Sequence, residues 1–214
     1  MRSAAKKTAP TPEVAADRKK QILKAAVEVF AERGFHRTRV SDIAKRAGVA
    51  YGLIYHYFES KDDVLNCVFE ENWSVFLKVL RDLEANPELA AAQKLRSIAA
   101  LLIDALQIAP ATIQVIIQEV SRSDRFVHTE KVHAFEGAFT VVRQIIEGGQ
   151  RRGELRADLS AQVGAYIFFG ALETICTGFM LGHIRCSTPE EAAVVKHTVE
   201  LTLLHGLLDP KGAK

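Results

Sequence analysis

The sequence predicts an all-α protein in which three short N-terminal helices precede a larger helical region. Two observations support this fold class. Apolar residues recur with the helical period along nearly the whole chain, and no stretch shows the alternation of a β-strand. Apolar residues make up 48% of the 214 positions, enough to bury a large core.

The N-terminal quarter is divided by helix-breaking residues. We interpret residues 1–16 as a flexible basic arm, because they lack the apolar core of a secretory signal. Residues 17–60 would form a first domain, with an aspartate capping its first helix. Gly34 ends that helix and Gly48 supplies the left-handed residue of a tight turn. The three helices are expected at 17–33, 38–47 and about 50–57.

Residues 61–214 are expected to form a second helical domain. Ser60 and the acidic residues after it predict the start of a long helix. Thr188, Pro189 and Glu191 give a cap, a proline and a glutamate at the positions that begin the last helix. We expect helices at about 61–84, 88–108, 111–121, 124–148, 158–182 and 188–208, with a loop at Gly148, Gly149 and Gly153.

Two apolar stretches, 98–117 and 163–182, are long enough to span a membrane. Each has a carboxylate near its middle, Asp104 and Glu173, which is costly at the centre of a bilayer. We therefore interpret both as buried helices of a soluble, cytoplasmic protein. Three scattered cysteines also fit a reducing compartment.

Charge is distributed unevenly along the chain. Residues 1–61 contain 13 Lys or Arg and 6 Asp or Glu, a net charge of +7. Residues 62–214 contain 15 and 20, a net charge of −5. A basic N-terminal region followed by an acidic C-terminal region suggests that the N-terminal region alone binds a polyanion. An ordinary solvated surface could show the same uneven distribution of charge.

The second and third predicted helices, joined by a glycine-containing turn, form a helix-turn-helix. In such a motif the second helix enters the major groove of DNA. That helix lies in AGVAYGLIYHYFESK (47–61), which contains three tyrosines. Tyrosine reaches outward with few rotatable bonds, and its hydroxyl can bond a phosphate oxygen.

The segment RVSDIAKRAGVAYGLIYHYFESKDDVL resembles the DNA-binding signature of the TetR family of bacterial transcription regulators. The likeness covers about residues 18–65, including Ala47-Gly48-Val49 and the Tyr55-to-Phe58 block. It implies a homodimer whose third helices enter successive major grooves of a palindromic operator. Positions 50, 51 and 53 depart from the family pattern of serine, lysine and threonine, which leaves fewer hydrogen bonds to base edges but allows contact with thymine methyl groups.

Matching the family pattern position by position gives a set of candidate DNA contacts. They are Arg39, Val40, Ser41, Lys45, Ala50, Tyr51, Gly52, Leu53, Tyr55, His56 and Lys61. Arg37 and Arg46 are further basic candidates from the same surface. Phe58, next to this set, is assigned to the core.

The second domain shows no catalytic constellation, and its histidines have no metal-ligand spacing. We therefore predict no enzyme activity, no metal and no cofactor. Its apolar helices would serve dimerisation, a ligand cavity, or both. The candidates for lining a cavity, each of which is also compatible with simple core packing, are Trp73, Phe76, Leu77, Leu102, Leu106, Ile113, Ile117, Phe135, Phe139 and Phe169.

The stretch IFFGALETICTGFML (167–181) resembles the late helix of the TetR subgroup that represses fatty-acid degradation and responds to long-chain acyl-CoA. Gln118-Glu119 adds to this likeness. It implies that the apolar region takes an acyl chain and that an arginine, Arg122, Arg125 or Arg143, meets the CoA phosphates. Glu119 and Glu173 would instead satisfy buried helix partners or the dimer seam.

Together these observations predict a ligand-responsive repressor of a palindromic operator, released by an apolar effector. Two alternatives remain open. One is a dimeric DNA-binding activator or architectural protein without a ligand cavity. The other is an interaction protein that binds a partner through residues 163–182.

Overall fold

The computed structural model describes residues 12–120 and 131–205, with side chains over 13–118 and 136–205. In these ranges the chain forms helices joined by turns and no β-strand, which confirms the all-α prediction. The chain divides into two compact units between Phe69 and Glu70. We call them the N-terminal unit and the C-terminal unit and describe each separately.

The N-terminal unit contains three helices and the beginning of a fourth. They are α1 (Pro12–Arg33), α2 (Val40–Ala47), α3 (Tyr51–Tyr57) and the first turns of α4 (Lys61–Ala85). Gly34 and Gly48 take left-handed φ angles of 75° and 65°, as their predicted turn roles require.

The start of α1 differs from the prediction. Residues 12–16 continue the helix, so Asp17 lies inside it and is not its N-cap. Proline suits the first helical position because its fixed φ is helical, and Glu13 favours the positive end of the helix dipole. Residues 1–11 of the predicted arm lie outside the described residues.

A small core holds the N-terminal unit together. Phe30, Ile43, Ile54 and Phe58 are each no more than 2% exposed, and the core position of Phe58 is confirmed. The Ser60 hydroxyl accepts a hydrogen bond from the Asp63 backbone at 3.0 Å, which confirms the predicted cap of α4. The first two turns of α4 bury Val64, Leu65, Val68 and Phe69. These buried residues belong to the N-terminal unit, which runs to Phe69.

The C-terminal unit continues α4 and adds five helices within the described residues. These are α5 (Ala91–Ile108), α6 (Pro110–Val115), α7 (Lys131–Arg151), α8 (Ala161–Met180) and α9 (Pro189–Val199). Two π-helical segments, Ile116–Val120 and Glu200–Leu204, extend α6 and α9. The predicted cap of α9 is confirmed, because the Thr188 hydroxyl accepts from the Glu191 backbone and the Glu191 carboxylate accepts from the Thr188 backbone.

The predicted loop at Gly148 and Gly149 is wrong, because both residues lie inside α7. A Cβ added at Gly149 would be 2.5 Å from the Ala91 Cβ and 2.9 Å from Leu155. Glycine at this position therefore allows close packing of α7 and does not form a turn. Only Gly153, with φ 72°, takes the turn conformation.

Helix α8 is buried on one face only. Ala165, Phe168 and Leu172 are almost inaccessible, whereas Val163, Tyr166 and Ile167 are more than half exposed. Among the described residues, α8 is the one helix whose length and apolar composition would allow it to cross a membrane. Helices α5 and α6 meet the same criterion only when they are taken together, and they are bent by 111° at the break between them. The expectation that 163–182 is a buried helix therefore holds for one face of α8, and the other face is uncovered in the single chain.

Candidate nucleic-acid interface and effector region

Helix α3 has one apolar face turned into the N-terminal unit and one face open to solvent. Ile54 is 1% exposed and anchors the inner face. Tyr51 and Tyr55 are 53% and 48% exposed on the outer face. Because they are four residues apart, the two rings lie side by side with centroids 5.3 Å apart. The helix therefore presents two tyrosines as a single outward group.

The hydroxyls of Tyr51 and Tyr55 are 3.1 Å apart and share one hydrogen bond. This bond, together with partial burial, raises the pKa of Tyr55 above its ordinary value. Tyr55 is therefore a neutral hydroxyl at physiological pH. Whichever oxygen donates within the pair, one O–H hydrogen remains to donate to an external acceptor such as a phosphate oxygen.

The backbone of α3 is also accessible beside this pair. Gly52 is exposed, and a Cβ added there would meet no atom within 4 Å. Ala50 and His56 are exposed as well, while Leu53 is half-buried. The outer side of α3 consequently has room for a large partner to approach the main chain.

Four basic residues near α3 differ in their contacts. Arg39 and Lys45 are exposed. Arg46 is bound to two carboxylates of α1, at 3.1 Å from Glu28 and 2.6 Å from Glu32. Lys61 donates to the backbone carbonyls of Phe35 at 2.7 Å and Thr38 at 2.9 Å, and its ammonium lies 4.2 Å from the Phe35 ring centre. A phosphate at Lys61 would compete with these bonds.

The remaining candidates lie in the first turn of α2. Val40 is half-buried and Ser41 is exposed. Asp42 accepts a hydrogen bond from the Arg39 backbone at 3.0 Å and pairs with Arg33 at 3.1 Å. The backbone bond, followed by the charge of Arg33, lowers the pKa of Asp42. Contact of the candidate residues with DNA stays a prediction.

The residues predicted to line an effector cavity lie at the border of the C-terminal core. Leu106 and Ile117 belong to the core itself. Half-buried side chains packed against it are Trp73, Phe76, Leu77, Leu102, Ile113 and Phe169. The Phe139 ring is stacked on the Tyr166 ring with 4.5 Å between the ring centroids, and its centroid lies 4.9 Å from that of Phe169. The side chain of Phe135 is outside the described residues.

A cavity of about 330 Å³ lies elsewhere in the C-terminal unit, between α5, α8 and α9. None of the predicted effector residues with a described side chain lines it, so their ligand role stays a prediction. Among the candidate arginines, Arg143 pairs with Glu147 at 2.6 Å. Arg122, Arg125 and the Glu119 side chain lie outside the described residues, and Glu173 is exposed. No cluster of three metal-ligating side chains occurs in the part of the chain that the structure describes.

Two charged residues that the sequence did not single out anchor helix ends. The Lys94 side chain is 6% exposed and donates to the Glu84 carbonyl in the last turn of α4 at 2.5 Å. The Glu154 carboxylate accepts from the Ala91 backbone at the start of α5 at 2.6 Å. Glu154 is 63 residues away from Ala91 in sequence, so no local pattern could indicate the contact.

A helix-turn-helix with an outward tyrosine pair, followed by a larger all-helical unit, defines a DNA-binding transcriptional regulator. The chain belongs to the TetR family of bacterial regulatory proteins, whose family model matches residues 22–68. Residues 69–202 match the model of the YsiA-like protein C-terminal region. The resemblance seen in the sequence is thereby confirmed.

Known relatives extend the similarity over most of the chain. The fatty acid metabolism regulator protein of Bacillus subtilis (strain 168) is 32% identical over 75% of this chain and 82% of that protein. The crystal structure of the regulator FadR from Bacillus subtilis in complex with stearoyl-CoA has a TM-score of 0.75 and 27% identity, over 88% of this chain and 98% of that one. The fatty acid degradation regulator FadR from Bacillus halodurans has a TM-score of 0.78 and 26% identity, over 94% and 98%.

Proposed function

We propose that this regulator is a cytoplasmic homodimeric repressor that binds a palindromic operator and is released by a long-chain acyl-CoA. The observation that carries the DNA-binding part is the outward tyrosine pair on α3, with Gly52 open beside it. Arg39 and Lys45 on the same unit supply positive charge for phosphate contacts. A gel-shift assay on an operator selected from random duplexes tests this part.

The uncovered face of α8 supports the homodimer. Val163, Tyr166 and Ile167 form an apolar stripe at helical spacing, and Val194 on α9 is 66% exposed. An apolar stripe on a soluble chain requires a cover, and a second copy with the same stripe provides one. Paired third helices would then meet the operator about one DNA turn apart, roughly 34–36 Å.

Replacing Ile167 by aspartate tests the dimer. Ile167 is 60% exposed, so the substitution leaves the core of the single chain intact. We expect a monomer in analytical ultracentrifugation and loss of operator binding. The matched control is Val75→Asp, at a position 64% exposed on α4, which should remain dimeric. If Ile167→Asp sediments as the wild-type protein does, this face is not the dimer interface.

An apolar effector is supported by an aromatic group on α7 and α8, in which the half-buried rings of Phe139 and Phe169 adjoin each other and the exposed Tyr166 stacks on Phe139. Aromatic and aliphatic side chains at the border of a core can separate to admit an acyl chain. The similarity to a regulator crystallised with stearoyl-CoA indicates which chain type to test. For effector binding to release DNA, the effector must bind the DNA-free state of the protein more tightly than the DNA-bound state, by about 1–3 kcal/mol in typical cases.

A series of acyl-CoA thioesters of increasing chain length tests the effector. Each buried methylene contributes about 0.8 kcal/mol, so the concentration that releases DNA should fall about fourfold per carbon until the region is filled. CoA without an acyl chain is the control and should leave the complex intact. Equal release by CoA and stearoyl-CoA, or none by either, would exclude the acyl chain as the signal.

Helix α4 offers a route for this signal because it is continuous from Lys61 to Ala85 and contributes to both units. Its last turn is held by Lys94 of α5. Effector binding next to Trp73, Phe76 and Leu77 would therefore displace the part of α4 that precedes this anchor. Such displacement would move the N-terminal units of the dimer out of register with the operator.

A further inference from the structure

The cavity between α5, α8 and α9 is separate from the proposed acyl-CoA region. Its floor is apolar and contains Phe168, Ala99, Val199 and Leu204, each 6% exposed or less. Its volume of about 330 Å³ is at the lower end of the range for small-molecule sites. That volume is suited to a short apolar chain, and a complete long-chain CoA thioester is much larger.

Charged side chains border this apolar floor. Arg96 of α5 pairs with Glu200 at 2.6 Å, and Lys196 of α9 pairs with Asp104 of α5. Arg96, Lys196 and Glu200 line the cavity, together with the exposed His197, whereas Asp104 does not. Each cation at the border is thus held by one carboxylate, and of these two carboxylates only that of Glu200 lines the cavity.

Both ion pairs are partly open to water. The Arg96 and Glu200 side chains are 47% and 31% exposed, and those of Lys196 and Asp104 are 33% and 42% exposed. Pairs this exposed are weak because solvent screens them. A ligand carboxylate can thus replace Glu200 or Asp104 as the partner of the cation without leaving a buried charge unpaired.

The backbone of the cavity wall is itself unusual. Glu200 and Leu204 belong to the π-helical segment that follows α9. A π-helical turn is wider than an α-helical one and is frequently found at functional sites. This segment contributes both a charged group at the border and an apolar group in the floor.

We propose that this cavity binds a medium-chain fatty acid, with the carboxylate on Lys196 and Arg96 and the alkyl chain on Phe168 and Leu204. The site is additional to the proposed acyl-CoA region and does not depend on it. It gives each chain a second binding site, for a free acid rather than a thioester.

Titration calorimetry of the full chain with decanoate tests the site. We expect saturable binding of one decanoate per chain. Lys196→Gln should weaken decanoate at least about tenfold, the effect of losing one charge-assisted hydrogen bond, and should leave the binding of neutral decanol unchanged. Lys78→Gln, at a side chain 79% exposed on α4, is the matched control and should bind as the wild type does.

Filling the cavity provides an independent test. Ala193 lines the cavity yet is exposed, so Ala193→Leu should fold normally and exclude both decanoate and decanol. Ala85→Leu makes the same change at an exposed helical position outside the cavity and should have no effect. Undiminished decanoate binding by Ala193→Leu, or none by the wild-type chain, would overturn the proposal.

Two further measurements separate this site from the acyl-CoA region. Stearoyl-CoA should not displace decanoate, and Ala193→Leu should still release operator DNA in response to stearoyl-CoA. Displacement of decanoate by stearoyl-CoA would show a single shared site and refute the second one. Failure of stearoyl-CoA to release DNA from Ala193→Leu but not from the wild-type protein would also show a shared site and refute the second one. Failure with the wild-type protein itself would count against the proposed repressor mechanism and leave the decanoate result unaffected.

Discussion

Replacing Gly52 by alanine should stabilise the folded protein and weaken its binding to DNA. Gly52 is the second residue of the seven-residue helix α3, and an added Cβ meets no atom within 4 Å. Alanine restricts the unfolded chain and favours the helix, so we expect a gain of about 0.4–1 kcal/mol in the free energy of unfolding. For a chain of this size that corresponds to a rise in Tm of about 1–4 °C.

The same methyl group lies on the side of α3 that would face DNA. If the main chain of α3 approaches the groove, the methyl group prevents close contact and disrupts contacts worth about 1–3 kcal/mol. Operator affinity should then fall by a factor of about 5–150. Thermal melting followed by circular dichroism and fluorescence anisotropy with labelled operator would measure the two effects on the same sample.

Ser74→Ala is the control for the stability gain. Ser74 is exposed on α4, in the C-terminal unit, and alanine also has the higher helix propensity there. It should raise Tm slightly and leave operator affinity unchanged. A Gly52→Ala protein that is stabilised and binds the operator with wild-type affinity would refute the close approach of α3 to DNA.

Three more substitutions test contacts seen in the structure. If Lys45 neutralises one phosphate, Lys45→Ala should lower the slope of log affinity against log salt by about 0.9 in anisotropy titrations. Arg46→Ala should leave that slope unchanged and lower Tm instead, because Arg46 is bound by carboxylates of α1. Tyr51→Phe and Tyr55→Phe should each weaken operator binding. A double-mutant cycle should show that the two losses are coupled, because the two hydroxyls share a hydrogen bond. Strictly additive losses would contradict this coupling. Gly149→Ala should destabilise the chain by about 1–3 kcal/mol in urea unfolding, because its Cβ would overlap that of Ala91.

The candidate DNA-binding surface was predictable because its signals are local. Gly48 fixes the turn between α2 and α3 through a left-handed φ, which few other residues adopt. Ile54 is the buried residue of α3, and Phe58, the extended residue that caps the helix, is buried in the same core. Tyr51 and Tyr55 are four residues apart, so they share the exposed side of α3. The sequence could not separate the paired Arg46 from the exposed Lys45, because the partners of Arg46 lie 14 and 18 residues earlier in the chain.

By itself, the sequence determined the helical class, the starts of α4 and α9 and the family of the N-terminal unit. Caps, glycine turns and hydrophobic period act over a few residues, so they can be recognised without a fold. The tertiary structure alone decided that Gly149 lies within α7, that the N-terminal unit extends to Phe69, and that a cavity opens between α5, α8 and α9. Each of these depends on how close distant helices approach one another, a distance set by the packing of the whole unit.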